Sequence, residues 1–414
     1  MATSPILRAS PATIQRRRAP TKQTSLTLFP TAARHGNCEP PNGASAPPPA
    51  PGRSVKPVSG LVGIARLAAS SPCADAKRGT EYFLLPVKSI LNQCNSDRVP
   101  FRWTVNPYRG CEFGCCYCYA RYTHEYLELD GADFESKIFV KQDAGPLAGR
   151  DLSSEKIWGE HIAIGTATDP YQPAEKEFGA TSAILEKMAE REGLSLSITT
   201  KSNQVVNDID LLQRISKRSS ITIHMTVTTL RTRLARMLEP RAPRPDLRLE
   251  AIRKLRDAGI AVGTNLMPIL PGLTDREDDL DALVRASRDA GAQWLAANVL
   301  FLMPSSWKPF LEFLDSKFPK LARRYRDFYR GYGNAPEDYR KRIAALVDGL
   351  RHKYGLGSRP IAPSPQSWHS PQLALALGQE DGNGSCSNGL NSTKKGAAAA
   401  GKEDATEIAS HCEL

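Results

Sequence analysis

Three glycines, Gly193, Gly259 and Gly291, each stand between an amphipathic stretch and a short β-branched run. A helix that ends just before a strand commonly closes through a left-handed residue, and glycine takes that conformation without a Cβ clash. Helix, glycine, strand, three times over, predicts a βα-repeat fold. Strands are expected over 101–105, 137–140, 161–165, 195–200, 221–227, 261–266 and 294–300, with helices over 174–192, 205–217, 247–258 and 276–290. Several of the strand runs read as apolar on both faces, as in a parallel sheet covered by helices. The expectation is an α/β fold, a (β/α) barrel or an open partial barrel. A doubly wound sheet is the alternative, because periodicity does not separate closed sheets from open ones. Helical patterning over 307–317, 320–329 and 336–353 adds a C-terminal appendage.

Composition sets the limits of that core. Of 414 residues, 41% are hydrophobic, enough for a sizeable folded region and too many for a wholly disordered chain. No run approaches the roughly 18–20 apolar residues of a membrane-spanning helix, so no membrane partner is expected. The net charge of +11 is uneven: eleven Lys and Arg against Glu39 and Asp75 put +9 in residues 1–80. The basic balance therefore describes the N-terminal stretch and says little about nucleic acid. Four regions follow: a disordered, basic, Pro/Ala-rich tail over 1–72, a core over 73–305, a helical extension over 306–362 and a low-complexity tail over 363–414. The Arg16-Arg17-Arg18 cluster, with no acid before Glu39, also suits an organelle transit peptide.

Four of the nine cysteines fall between Cys111 and Cys118, and none occurs over 119–385. Cys111, Cys115 and Cys118 have the spacing C-x3-C-x2-C directly after the first predicted strand. Three thiolates on one short loop suit three corners of a cubane iron–sulfur cluster, leaving one iron without a protein ligand. An open metal position is where a substrate or cofactor coordinates, whereas a closed one is structural. Zinc is the alternative, with Cys94, Cys116 or His124 as the fourth ligand; an electron-transfer cluster and buried structural cysteines are others. Cys94 is also the upstream candidate for the fourth corner, and Cys116, beside a ligand, is expected to point away.

The cluster loop, with Tyr117 before Cys118, resembles that of the radical S-adenosylmethionine (SAM) superfamily. The Asn106-Pro107-Tyr108-Arg109-Gly110-Cys111 phrase and the Gly165-Thr166-Ala167-Thr168-Asp169-Pro170 phrase are similar to the spore photoproduct lyase-like branch, as is the series from Leu238-Glu239-Pro240 to Pro271-Gly272. The resemblance covers about residues 75–360. It implies a partial (β/α)6 barrel of radical SAM type with a [4Fe–4S] cluster on Cys111, Cys115 and Cys118. It also implies SAM chelated by the open iron and reductively cleaved to a 5′-deoxyadenosyl radical. Tyr117 matches the aromatic position beside the adenine. Gly165, Thr168 and Asp169 match the segment that meets the methionine amino group, although Gly-Thr-Ala-Thr-Asp replaces the family's Gly-Gly-Glu. Lys201 is placed for the cofactor carboxylate or ribose. His224 and Asn265 are expected to line the cavity, and Glu239 with Arg248 resembles a family pair or a structural ion pair.

Spore photoproduct lyases repair a thymine dimer in DNA, in the characterised type with a further cysteine after the cluster loop; many members of the lyase-like branch have no known substrate, and this chain has no cysteine over 119–385. Arginines at 231, 233, 236, 241, 244 and 248, and the Arg323 to Arg330 stretch with its tyrosines, suit either nucleic acid or a solvated helix face. The expected partners are a flavodoxin- or ferredoxin-like electron donor and, as a candidate, nucleic acid. A low-potential cluster implies a reducing, cytoplasmic setting, with organelle import as the alternative.

Overall fold

The computed structural model describes residues 60–77, 79–95, 99–330 and 333–360. Eleven strands build two sheets: β1 (Cys73–Lys77), β2 (Thr80–Leu85), β3 (Leu91–Gln93), β4 (Trp103–Val105), β5 (Tyr108–Arg109), β6 (Lys137–Lys141), β7 (His161–Ile164), β8 (Ser195–Thr200), β9 (Ser220–Thr226), β10 (Ala261–Ile269) and β11 (Leu295–Val299). The larger sheet runs β11-β10-β9-β8-β7-β4-β3. Its strands β4, β7, β8, β9, β10 and β11 are parallel, and β3 joins antiparallel at one edge. These six parallel strands lie side by side in chain order without reversal, which removes the doubly wound alternative, whose order reverses at a switch point. The sheet ends at β11 and β3 and does not close on itself.

The repeat read from the glycines is present. Gly193, Gly259 and Gly291 have φ of +72°, +79° and +91°. Helices Ala180–Ala189, Ile209–Ser216, Pro245–Asp257 and Glu277–Asp289 separate the strands. The expected helix over 174–192 is broken at Gly179, and that over 205–217 opens as a 3-10 turn, Asn203–Asp208. The strand expected over 137–140 is β6, and it leaves the repeat for the smaller sheet, β1-β2-β6-β5.

Side chains alternate across a strand, so each strand divides its residues between two faces. Ile162, Ile164, Leu196, Ile198, Ile221, Ile223 and Val262 pair in register on one face and are buried. The opposite face carries Ser195, Ser197, Thr199, Thr222, His224, Gly263 and Asn265. The expectation of two apolar faces is corrected here: this second face is polar and half-buried. Trp294 crosses it over Gly263, where a Cβ would stand 2.2 Å from the indole, and its N–H donates to His224 Nδ1 at 3.4 Å.

Helices Pro304–Lys317, Pro319–Tyr329 and Glu337–Tyr354 come after β11 in the chain. They bury Phe310, Leu314, Tyr325, Tyr329, Tyr339 and Ile343 in the main core, and Tyr354 and Lys353 anchor on Asp281. Helix Gly63–Ala69 falls inside the stretch read as tail, and its Ala68 packs with Leu85 and Phe139. Residues 1–59 of that tail and the whole of 363–414 lie outside the described residues. Among the described residues, no helix is long and apolar enough to cross a membrane.

Candidate functional site

The C-terminal ends of parallel strands are where loops from neighbouring units converge. Here β4, β7, β8 and β9 deliver four segments to one end of the sheet: the cysteine loop, Gly165–Asp169, Lys201 and the stretch from Thr228 to Arg248. After β4 the chain reverses through β5, which pairs with β6. At Gly110 φ is +84°, and a Cβ would stand 2.7 Å from Lys137 O and 2.8 Å from Phe134 O. Only glycine fits there, because both the dihedral and the neighbouring carbonyls exclude a side chain. The next amide, Cys111 N–H, donates to Phe134 O at 2.9 Å.

From there the loop is tied to its surroundings on three sides. Thr168 Oγ1 and Gln172 Nε2 donate to Gly110 O at 2.6 and 3.1 Å, and Glu112 N–H donates to Gln172 Oε1 at 2.9 Å. The buried Glu112 carboxylate accepts the Ala174 N–H at 2.7 Å and the Tyr82 hydroxyl at 2.9 Å. Cys116 N–H donates to Leu238 O at 3.0 Å, and Arg241 N–H to Phe113 O at 3.2 Å. The Arg121 guanidinium donates to Cys115 O at 3.3 Å and pairs with Glu135 at 2.6 Å.

Cys111, Cys115 and Cys118 are free thiols. Burial pushes Cys115 up to about 12, and it also raises Cys111 and Cys118. Cys115 and Cys118 raise Cys111 further, and Cys118 raises Cys115. Lys201 and Arg248 counter this at Cys115, as Arg121 and Lys201 do at Cys118. Thiolates gathered against fixed cations are the donor set of an iron–sulfur cluster, and the three residues fit one. Among the described residues, no three His, Cys, Asp or Glu groups gather as ligands of a single metal ion. Cubane corners make no such demand, since each cysteine there takes a different iron.

Two of the candidate fourth ligands, Cys94 and His124, are placed elsewhere. Cys94 N–H bonds Arg102 O at 2.8 Å, before β4 begins, whereas the cluster loop follows its far end. His124 is fully buried between Phe134 and Phe139, with Nε2 2.9 Å from Lys137 O. Cys116 is free and partly exposed.

Most of the residues read as cofactor contacts do converge here, several in structural roles. Gly165 N–H donates to Val105 O at 3.0 Å, joining β7 to β4. Thr168 spends its hydroxyl on Gly110. Asp169 accepts from Tyr171 N–H (3.0 Å), Thr200 Oγ1 (2.7 Å) and Lys201 N–H (2.7 Å), so its carboxylate ties the ends of β7 and β8 together. Lys201 Nζ sits 5.9 Å from the centre of the Tyr117 ring. Burial opposes its charge, but Cys115, Glu239 and Cys118 outweigh that and raise its pKa. The Tyr117 hydroxyl is held by Glu239 and lies 3.2 Å from Thr228 Oγ1. His224, next to Trp294, is driven down to about 4 by burial and stays neutral at pH 7. Asn265 lies one register step beyond it, paired with Thr226.

Sequence reasoning missed Asn106, Glu112, Gln172 and Thr228. Asn106 accepts the Ala167 N–H at 2.8 Å and donates to Thr166 Oγ1 at 3.1 Å. The available signal was adjacency, since Asn106 opens the phrase that ends at Cys111 and Gln172 follows Pro170 by two residues. The arginine stretch divides: Arg248 is buried on Glu239, while Arg244 pairs with Asp246 and Arg231 with Asp279 on the exposed side.

Residues 105–284 match the family model described as the Radical SAM superfamily. An uncharacterised protein of Mycobacterium tuberculosis is 34% identical over 284 residues, covering 68% of this chain and 83% of that protein. Another, from Methanocaldococcus jannaschii, is 32% identical over 184 residues, covering 44% of this chain and 66% of its own. Among solved structures, spore photoproduct lyase complexed with dinucleoside spore photoproduct aligns with a TM-score of 0.51 at 16% identity, over 73% of this chain and 85% of that one. A variant of that lyase with bound AdoMet and the same dinucleoside aligns with a TM-score of 0.50, at the same identity and coverage. At that identity the likeness speaks for the fold. The chain belongs to the radical SAM superfamily, whose cofactors are a [4Fe–4S] cluster and S-adenosylmethionine.

Proposed function

We propose that this protein is a radical SAM enzyme whose cluster is held by Cys111, Cys115 and Cys118, on a six-stranded partial barrel of the radical SAM type. The observation that carries the reading is the loop itself: three free thiols between Cys111 and Cys118, turned by Gly110 and held by Arg121, with Lys201 beside Tyr117, at the C-terminal end of the parallel strands. When bound, the cluster and SAM supply one-electron cleavage of the sulfonium and hence radical chemistry on a substrate. The protein's own part is to bind, orient and shield. Gly110 lets the loop turn tightly, and Thr168, Gln172 and Glu112 lock its first half to the segment after β7. Tyr117, held at its hydroxyl and faced by Lys201, offers a fixed aromatic surface beside the second and third cysteines. Lys201 is the cation for the cofactor carboxylate or ribose, and its backbone is fixed by Asp169. The polar face with Thr199, His224 and Asn265 is where a polar substrate would lie.

Electrons come from a flavodoxin- or ferredoxin-like donor on this reading. Lyase chemistry on nucleic acid is the narrower form, supported by the fold likeness to spore photoproduct lyase; of the arginines, Arg231, Arg244, Arg248 and Arg326 are engaged by acids within the chain and add nothing to it. Anaerobically reconstituted protein given dithionite and SAM is expected to release 5′-deoxyadenosine and methionine. An intact cluster with neither product would overturn the proposal. Ultraviolet-irradiated DNA is the first substrate to offer: loss of photoproduct supports the narrower form, and its persistence during SAM cleavage removes that form alone.

A further inference from the structure

Directly under Tyr117 lies a charged pair that the chemistry above does not use. The Glu239 and Arg248 side chains are each 1% exposed and form an ion pair. The carboxylate also accepts the Thr228 hydroxyl at 2.7 Å and the Tyr117 hydroxyl. Arg248 donates with its remaining groups to Pro243 O at 2.8 Å and Thr226 O at 3.0 Å, so Glu239 is fixed to the end of β9. On either side of Glu239 the main chain meets the cluster loop, through Leu238 O with Cys116 N–H and through Arg241 N–H with Phe113 O. The stretch from Phe113 to Tyr117, which contains Cys115, is thus seated on the turn from Leu238 to Arg241.

A buried ion pair is a weak way to gain stability, because desolvating two charges offsets much of their attraction, and apolar replacements often serve as well. Its position is therefore the informative feature. Fixed charges and hydrogen bonds around cluster ligands are levers on a cluster's potential. Here Glu239 is paired with Arg248 and holds the Tyr117 hydroxyl, and Lys201 Nζ faces the Tyr117 ring at 5.9 Å.

Resting on the cluster reading above, we propose that Glu239, clamped by Arg248, is a positioning residue that seats the Cys115–Tyr117 segment and holds down the reduction potential of the cluster on that segment. Glu239→Gln keeps the shape and most hydrogen bonds while removing one negative charge. The measurement is an EPR-monitored redox titration of anaerobically reconstituted wild type, Glu239→Gln, Tyr117→Phe and the double variant, with iron and sulfide content and the melting temperature recorded for each. Glu239→Gln is expected to load its cluster, with its potential shifted to more positive values. Tyr117→Phe is expected to shift the potential by a different amount in the Glu239→Gln background than in wild type, as coupled neighbours do. A wild-type potential in Glu239→Gln at full cluster content overturns the proposal, even if the melting temperature falls, because a merely structural role moves only the latter. Should Glu239→Gln fail to fold, Thr228→Val removes a single donor to the carboxylate, leaves its charge less neutralised and is expected to move the potential negative; no movement overturns the proposal. Wild type that takes up no cluster would instead overturn the reading beneath it.

Discussion

At the residue scale, the site depends on positions where one atom decides the outcome. Gly110 is the sharpest case, because two carbonyls occupy the place of its missing Cβ and its φ is +84°. Gly110→Ala is expected to cost on the order of 2–4 kcal/mol in chemical denaturation of the apo-protein and to lower iron uptake in proportion. An unchanged midpoint would mean that the loop can re-form without its tight turn. The cysteines were legible from sequence because their message is local, three ligands within eight residues. Asp169 was singled out by its phrase, but its tie to β8 was not legible, because it depends on Thr200 and Lys201, 31 and 32 residues away and brought adjacent by β7 and β8. Arg248 and Arg244 likewise look alike in sequence, yet one is buried on Glu239 and the other pairs with Asp246 at the surface.

At the element scale, the short helix Tyr122–Glu125 links the cluster loop to the smaller sheet through His124, whose ring packs on Phe134 and Phe139. Burial drives His124 down to about 4, from an ordinary value near 6.5. Between these values the unfolded chain binds the proton and the folded chain does not, so stability rises with pH across that window and is lost as pH falls from about 6.5 to 4. The loss reaches about 3 kcal/mol from this residue. Denaturation midpoints of the apo-protein measured from pH 7 to 4 are expected to fall less steeply in His124→Gln than in wild type; equal slopes would show that His124 is protonated in both states alike. Elements were the part of the fold most readily read, since periodicity and the three helix-ending glycines report local geometry. Which sheet a strand joins is not local: β6 has the same β-branched character as its neighbours in sequence, yet pairs with β2 and β5. The polar face was written in the alternation of Ser195, Ser197 and Thr199, but the apolar residues between them masked it.

At the scale of the whole molecule, six parallel strands in chain order present one end to the cysteine loop and carry one polar face, while helices pack on the opposite face. On the proposed reading, Cys111, Cys115 and Cys118 would anchor the cluster at that end, next to Tyr117 and Lys201. The most direct test is the EPR spectrum of the reduced cluster before and after SAM is added, in wild type and in Cys115→Ala. The account predicts that SAM changes the wild-type spectrum, because it binds at the accessible iron, and that Cys115→Ala loses the [4Fe–4S] signal. A wild-type spectrum indifferent to SAM, or a full signal in Cys115→Ala, would contradict it.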